Sequence, residues 1–296
     1  MRYNTKFKIF VPLVFILFAA AFAKHRFVDV KMEPVSELQS KQMNETSGMA
    51  ASGLNPDIYY AHNDSGDSAR FFSISTDGKL HTTIHYKTAR QVRDCEDIAV
   101  GSGPVKGRSY VYIGDIGDND SHRKSIAVYR IEEKKAWETQ ERAETNVDQL
   151  NLRYPDGPKD AETLMIDPRE KLIYIVTKRS DTVSVYTTPL NFRANDTVTL
   201  TFRCKLFFAG IKPFKWVTAG DISKDGQQVL VKNYEKVYYW RRKNNEHIWE
   251  TLQRAPAELP YKQEKQGEAI AFTPDGKGYY TTSEGVFAPI YYYKTP

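Results

Sequence analysis

A short sequence element returns five times along this 296-residue chain, each time with an acidic residue at or beside one position of the element. The five copies are ETSGMA from Glu45, DCEDIA from Asp94, DAETLM from Asp160, TAGDIS from Thr218 and QGEAIA from Gln266. Aligned on the hydrophobic residues that follow, their third positions are Ser47, Glu96, Glu162, Gly220 and Glu268, with spacings of 49, 66, 58 and 48 residues. Repeats of about 40–50 residues are typical of propeller blades. We therefore expect an all-β, five-bladed β-propeller in which each copy is the innermost strand of a blade.

Aromatic and β-branched runs separated by Gly, Asp, Asn and Pro predict four strands in most blades. Outer strands are expected at Val147–Tyr154, Val198–Leu206 and His247–Gln253, and the charged stretch 132–144 is compatible with a helical insertion. The fifth blade lacks an outer strand after 290–293. A strand near the N-terminus, at 26–31, is expected to pair there and close the ring, because closure protects an exposed sheet edge.

The first 23 residues read as a cleaved signal peptide. Arg2, Lys6 and Lys8 form a basic start, an apolar run follows, and Ala21-Phe22-Ala23 provides a cleavage site. An uncleaved membrane anchor is the alternative, but the run is interrupted by Pro12 and is shorter than the about 20 residues that a membrane span needs. We expect residues 24–296 to form one propeller domain that is secreted, or periplasmic or exported in a bacterium, without membrane attachment.

Composition then limits the partners. Removing the signal peptide removes three of the 42 Lys and Arg residues and none of the 37 Asp and Glu residues, so the remaining charge is close to balanced. This argues against a nucleic-acid partner. Cys95 and Cys204 are expected on distant strands of different blades, and therefore unpaired. The sequons at Asn44, Asn63, Asn119 and Asn195 predict possible glycosylation in a eukaryotic host.

The repeated acids predict a metal site on the propeller axis. Three carboxylates that meet on one axis repel one another, and the cost falls if one is protonated or a cation binds. Glu96, Glu162 and Glu268 offer hard oxygen ligands, Ser47 adds a hydroxyl, and Gly220 can offer only a backbone carbonyl. Oxygen ligands in a wide channel suit Ca²⁺, whereas Zn²⁺ prefers His and Cys. The alternative is that these acids accept hydrogen bonds from strand amides and never meet.

The loops after the second strand of each blade predict a functional rim at the same end of the channel. Asp64, Asp115 and Glu284 are the candidates to orient a water molecule for catalysis. The candidates to bind an anion are His62, Arg93, Lys178, Arg179 and Lys232. The alternative is that segments such as Asn63-Asp-Ser-Gly-Asp67 are simple turns, which their composition also suits. Nucleophile-elbow, phosphate-loop and zinc-protease motifs do not occur in the sequence.

Four motifs resemble a group of secreted bacterial-type propellers of unassigned activity. They are HNDSGD at 62–67, EDIA at 96–99, GDIGDN at 114–119 and QGEAIAF at 266–272. More remotely, the layout is similar to the soluble calcium-activated nucleotidase (apyrase) family. That resemblance implies a five-bladed propeller with one axial calcium, ligands in the order Ser, Glu, Glu, Ser, Glu, and an acidic loop at Asp64. Gly220 departs from this order, and the chain has no counterpart of that family's long nucleotide-contacting insertions.

Two functional hypotheses follow. In the first, the protein is a calcium-dependent hydrolase of a phosphate-bearing or other anionic small molecule. In the second, it is a non-catalytic extracellular protein that binds a matrix component, a mineral or a glycan, and uses calcium for rigidity.

Overall fold

The structure is a computed structural model that describes residues 32–88 and 91–296, and it shows an all-β, five-bladed propeller. The innermost strands contact their neighbours in a closed ring, so the predicted fold class is confirmed. The predicted signal peptide and the predicted strand at 26–31 lie outside the described residues. Within the described ranges, no helix has the length and apolar character needed to cross a membrane.

The strands follow the chain from blade to blade. Strand β1 is Ser36–Glu37, and blade 1 contains β2 Thr46–Ala51, β3 Ile58–Asn63, β4 Arg70–Ser75 and β5 Leu80–Lys87. The next segment contains β6 Cys95–Ser102, β7 Ser109–Asp115, β8 Ile126–Glu132, a 3-10 helix at Lys135–Glu138, β9 Arg142–Asn146 and β10 Asp148–Arg153. The third contains β11 Ala161–Asp167, β12 Leu172–Thr177, β13 Thr182–Pro189, β14 Thr197–Thr199 and β15 Thr201–Phe207. The fourth contains β16 Val217–Ile222, β17 Gln228–Asn233, β18 Val237–Arg241, helix α1 Ile248–Thr251 and β19 Ala257–Leu259. The last contains β20 Gly267–Phe272, β21 Gly278–Ser283 and β22 Pro289–Lys294.

Two short strands each pair with the sheet of the preceding blade and add a strand to it. Strand β9 pairs in parallel with β5 and becomes the fifth strand of blade 1, and β14 pairs in parallel with β10 of blade 2. The predicted helical insertion at 132–144 is therefore wrong, since only one 3-10 turn forms before the chain pairs with blade 1. The predicted strand Val198–Leu206 is in fact divided between two blades. Each crossing strand covers an edge that would otherwise remain open.

The ring is closed by an N-terminal strand, as predicted, although by a different segment. Ser36 and Glu37 of β1 pair antiparallel with Ile290 and Pro289 of β22. In blade 4 the predicted outer strand His247–Gln253 is wrong, because Ile248–Thr251 forms a short helix and Ala257–Leu259 supplies the outer strand. His247 and Glu250 form a capping box at the start of this helix, which explains the helical conformation.

Apolar side chains of adjacent sheets pack against each other and form the core between blades. Cys95 and Cys204 are both buried and unpaired, as predicted. The packed sheets hold the innermost strands around the propeller axis.

Candidate functional site

Each innermost strand has one extra residue at the same place. The antiparallel register between the first and second strands slips between Thr46 and Gly48 in blade 1, and it slips at the equivalent point in the other four blades. The skipped residues are Ser47, Glu96, Glu162, Thr218 and Glu268. Such β-bulges leave one residue unpaired and redirect its side chain. We call these five residues the bulge ring.

The bulge ring corrects the predicted alignment in blade 4. Gly220 was expected at the equivalent position, but it lies two residues further along, in the regular ladder opposite Val231. Thr218 occupies the bulge, and its hydroxyl donates to the carbonyl of Gly267 at 3.2 Å. In blade 1, the Ser47 hydroxyl donates in the same way to the carbonyl of Glu96 at 2.9 Å. The misalignment arose because Asp221-Ile222 resembles Asp97-Ile98, although the two pairs occupy different registers.

A second layer of side chains follows the second strand of each blade. This layer consists of the residue that directly follows the end of each second strand. The five residues are Asp64, Ile116, Lys178, Tyr234 and Glu284. A third layer stands two residues before the bulge ring and consists of Glu45, Asp94, Asp160, Trp216 and Gln266. We call the three layers together the axial funnel.

The funnel brings carboxylates into three close groups. Within each group the oxygens lie within 4.8 Å of one another. The groups are Asp64 with Glu268 and Glu284, Asp64 with Asp94 and Glu96, and Glu96 with Asp160 and Glu162. Distant parts of the chain thus meet, and the alternative that the bulge-ring acids never meet does not hold. None of the three groups contains His or Cys.

Lys178 lies among these carboxylates. Its ammonium is 2.5 Å from Glu162 and 4.0 Å from Glu268, and it is buried. Burial alone would lower the pKa of Lys178, but the negative charges of Glu162 and its neighbours outweigh burial and raise the pKa. The lysine was predicted on the rim as an anion ligand. The structure instead places it as a fixed positive charge between two bulge-ring acids.

Several other acids of the funnel have raised pKa values. Burial, followed by the nearby carboxylates, raises the pKa of Asp64 to about 6 and that of Glu284 to about 8. Burial and the charge of Glu162 raise the pKa of Glu96 as well. Glu162 Oε2 is buried and has no hydrogen-bond partner in the described part of the chain. Carboxylates in this state release protons readily when a cation approaches.

Lys232, the second predicted anion ligand, is fully buried beneath the funnel. It donates to the carbonyl of Gly267 and, at 3.2 Å, to the hydroxyl of Thr218. Burial lowers its pKa to about 8, opposed by the charge of Glu264. These contacts fix blade 4 to blade 5 from the inside.

The carboxylate of Asp115, a predicted catalytic acid, is already engaged in an ion pair and in hydrogen bonds with neighbouring residues. It pairs with Arg123 at 2.7 Å and accepts the backbone amides of Arg93 and Asp94 and the hydroxyl of Tyr129. The carboxylate of Asp115 therefore fixes the backbone at Arg93 and Asp94, directly before the first strand of blade 2. Arg93 itself has an exposed side chain.

The other predicted rim residues fall in different environments. His62 is buried at the interface with blade 2, and burial lowers its pKa to about 4. Arg179 pairs with Asp160 at 2.5 Å, contacts Asn119, and lies over the ring of Trp216. Glu284 accepts a hydrogen bond from Gln266 at 2.5 Å. Among the predicted catalytic residues, Asp64 and Glu284 therefore belong to the acidic groups, whereas Asp115 does not.

Two other acids show the behaviour expected for strand caps. Asp97 accepts the amides of Ile98 and Leu164, each at 2.8 Å. Asp221 accepts the amides of Ile222 and Phe272, also at 2.8 Å. Each carboxylate joins an inner strand to the inner strand of the next blade.

Sequence reasoning missed Asp94, Asp160, Thr218 and Tyr234. Asp94 and Asp160 open their repeat copies, so their position two residues before an aligned acid was a usable signal. Tyr234 donates to Glu268, but nothing in its sequence context marks it.

Among the sequons, Asn63 is buried, and its amide nitrogen donates to Gln42 and Asp67, so it has no room for a glycan. Asn44, Asn119 and Asn195 are exposed.

No protein-family model matches this chain, and no curated protein compared with it matches significantly.

Proposed function

We propose that the protein is a calcium-binding propeller that also binds an anionic, phosphate-bearing small molecule beside the ion. The observation that carries this proposal is the convergence of the three carboxylate groups in the axial funnel. Like charges this close are costly unless they are protonated or share a cation. Calcium suits a site built from carboxylate and hydroxyl oxygens, because it accepts six to eight oxygen ligands.

The distribution of charge favours one side of the funnel for the ion. Lys178 already supplies a cation near Glu162 and Glu268. Asp64 belongs to two of the three groups, with Asp94 and Glu96 on one side and Glu268 and Glu284 on the other. We therefore place the calcium near Asp64 rather than at the centre of the bulge ring.

The corrected bulge ring also supports calcium. With Thr218 in place of Gly220, the ring reads hydroxyl, Glu, Glu, hydroxyl, Glu. This is the order that the apyrase resemblance implies, with Thr in place of one Ser.

Calorimetric titration of chelator-treated protein with Ca²⁺ and Mg²⁺ tests the ion. We expect Ca²⁺ to bind and to raise the unfolding temperature, because a ligand that binds only the folded state stabilises it. Glu96→Gln should weaken binding by about tenfold or more, which corresponds to about 1.4 kcal/mol. The exposed Glu141→Gln is the matched control. Failure of Ca²⁺ to bind, or equal loss in both variants, would refute the site.

A hydrolytic role is tested by phosphate release from nucleoside diphosphates, nucleoside triphosphates and phytate, with Ca²⁺ and then with chelator. Calcium-dependent turnover that Asp64→Ala abolishes and Glu141→Gln leaves unchanged would support an enzyme. Turnover that continues unchanged in chelator would contradict the calcium-dependent reaction.

The second candidate function is a non-catalytic extracellular binding protein. The occupied oxygens of Asp115 favour it, since that carboxylate is held by four neighbours and is not free to act as a base. Calcium-dependent stability without turnover would support this function. Secretion rests on the predicted signal peptide and is tested by N-terminal sequencing of the exported protein.

A further inference from the structure

A cavity of about 550 Å³ lies beside the funnel, on blade 2, where β8 and β10 begin. Its wall carries four basic side chains, Arg93, His122, Arg123 and Lys124. The single carboxylate among the lining residues is Asp115, and Arg123 already pairs with it at 2.7 Å. The cavity is therefore positive, in contrast to the acidic funnel next to it.

Three of these basic groups are available to a ligand. The side chains of Arg93, His122 and Lys124 are exposed, and none forms a side-chain hydrogen bond or an ion pair with another described residue. Arg presents a fork of donors that matches the oxygens of phosphate, Lys adds an ammonium group with three N–H donors, and His adds a ring N–H donor. Their common position at one cavity suits a compact, highly charged anion.

The inner wall has unused polar atoms. Gln149 lines the cavity and is 6% exposed, and its Oε1 atom has no hydrogen-bond partner among the residues that the structure describes. The Nε atom of Arg123 is likewise buried and unpartnered there. Buried polar atoms in folded proteins usually have partners, so an unsatisfied acceptor and an unsatisfied donor at one cavity indicate a polar ligand. Gln149 Oε1 requires a donor, such as a hydroxyl group.

The wall between cavity and funnel is one continuous set of contacts. Arg123 donates to the carbonyl of Gly117 at 2.6 Å, and a Cβ atom on Gly117 would overlap Glu96 and Asp94 of the funnel. Asp115 accepts the amides of both Arg93 and Asp94, so consecutive residues face the two sites. An anion in the cavity and a cation in the funnel would lie close enough to attract each other.

We propose that this cavity binds a small hydroxylated organic phosphate, with the phosphate at Arg93, His122 and Lys124 and a hydroxyl group at Gln149. The volume is within the range of about 300–1,000 Å³ that is usual for small-molecule sites. The inference rests on the proposed function for the choice of an anionic ligand, and it gives that ligand a location that the predicted anion ligands Lys178 and Lys232 do not provide.

Calorimetric titration in chelator tests the cavity with four probes: glucose 6-phosphate, glucuronate, glucose and inorganic phosphate. We expect glucose 6-phosphate to bind best, because it alone carries both a phosphate and hydroxyl groups. Equal binding of glucuronate would show that any anion suffices, and would overturn the assignment of phosphate. No binding of glucose 6-phosphate at about 10 mM, which corresponds to less than about 3 kcal/mol, would overturn the site.

Variants locate the binding. Arg93→Gln with Lys124→Gln should weaken glucose 6-phosphate binding by about tenfold or more, since charge-assisted hydrogen bonds are lost. Gln149→Met should weaken glucose 6-phosphate but leave inorganic phosphate unchanged. The matched control is Lys79→Gln with Lys106→Gln, two exposed lysines that do not line this cavity. Equal binding to the cavity variant and the control variant would overturn the proposal.

Repeating the titration with Ca²⁺ separates this inference from the proposed function. If both sites exist, Ca²⁺ should strengthen phosphate binding and phosphate should strengthen Ca²⁺ binding by the same factor. Phosphate binding in chelator without any Ca²⁺ binding would leave the cavity proposal standing and refute the calcium site. Ca²⁺ binding without phosphate binding would do the reverse.

Discussion

The two halves of the axial funnel balance their charge in different ways. On the side of blades 1, 2 and 5, Asp64, Asp94, Glu96 and Glu284 form no ion pair with any described residue, and they lie close to one another. On the side of blades 3 and 4, Lys178 pairs with Glu162. The bulge-ring residue of blade 4 is Thr218 rather than an acid, and the buried ammonium of Lys232 donates to its hydroxyl. One half carries its own cations, and the other has the chemistry to take one from solution. The same five-fold repeat therefore provides both a structural ion pair and a candidate metal site.

The largest effect is expected when the cation that the chain itself supplies to the funnel, the ammonium of Lys178, is removed. In chelator, Lys178→Met should lower the free energy of unfolding by about 3–5 kcal/mol, because it leaves Glu162 without its buried partner. Lys236→Met removes an exposed ammonium 2.7 Å from Glu258 and should cost at most about 1 kcal/mol. Denaturant unfolding measures both. A similar, small loss in both variants would show that Lys178 does not balance the funnel.

The variant Gly220→Ala tests whether Gly220 is the residue through which blade 4 contributes to calcium binding. A Cβ atom there would lie 2.8 Å from the carbonyl oxygen of Leu230 and from Thr163, so overpacking should cost about 1–3 kcal/mol of stability. Its affinity for Ca²⁺ should not change, because the residue lies in the ladder and outside the bulge ring. Thermal unfolding and calcium titration measure the two effects separately, and a large loss of affinity with unchanged stability would restore Gly220 as a ligand position.

The raised pKa values of Asp64 and Glu284, on the side of blades 1, 2 and 5, predict that the stability of the protein depends on pH. The carboxyl of Asp64 has a reference pKa of 3.8 and a folded-state value of about 6, and that of Glu284 rises from 4.5 to about 8. Between pH 3.8 and about 8 these two groups hold more protons in the folded protein than in the unfolded chain. Their contribution to the free energy of unfolding is therefore fully present at low pH and is lost as pH rises. Allowing for solvent screening at these two partly exposed groups, we expect a loss on the order of 1–2 kcal/mol between pH 5 and about 8 in chelator.

Unfolding free energies measured across this pH range give the slope. Saturating Ca²⁺ should flatten it, because the bound ion replaces the protons, and titrations in buffers of different ionisation enthalpy should show proton release on binding. Wild-type stability that rises with pH in chelator would contradict the raised pKa values.

The smallest expected effects compare one hydroxyl from each half. Ser47→Ala and Thr218→Val each remove a bulge-ring hydroxyl that donates to a carbonyl of the next blade, at a cost of about 1 kcal/mol. Ser47→Ala should also weaken Ca²⁺ binding, whereas Thr218→Val, beside Lys232, should leave it unchanged. Equal effects on calcium affinity would show that the two halves are not different.

The repeat in the sequence was sufficient to predict the number of blades and four of the five bulge-ring residues, including all three acids. Glu96, Glu162 and Glu268 share a local pattern of small and hydrophobic neighbours, and a strand with this pattern buries both faces in a propeller. The pattern failed at blade 4, where Asp221-Ile222 imitated Asp97-Ile98. Register is decided by pairing with β17, which brings Asn233 opposite Val217 and leaves Thr218 unpaired.

The propeller, its innermost strands and the supply of acids near one axis were predictable from the sequence alone, because they depend on residue types that recur once in each blade. Three features could be seen only in the folded chain: Lys178 lies among the acids of the axial funnel, Asp115 forms an ion pair with Arg123, and a basic cavity lies beside the acidic funnel. These outcomes depend on the direction of single side chains from different blades. Burial strengthens charge interactions between such groups, and their neighbours in space are distant in the chain.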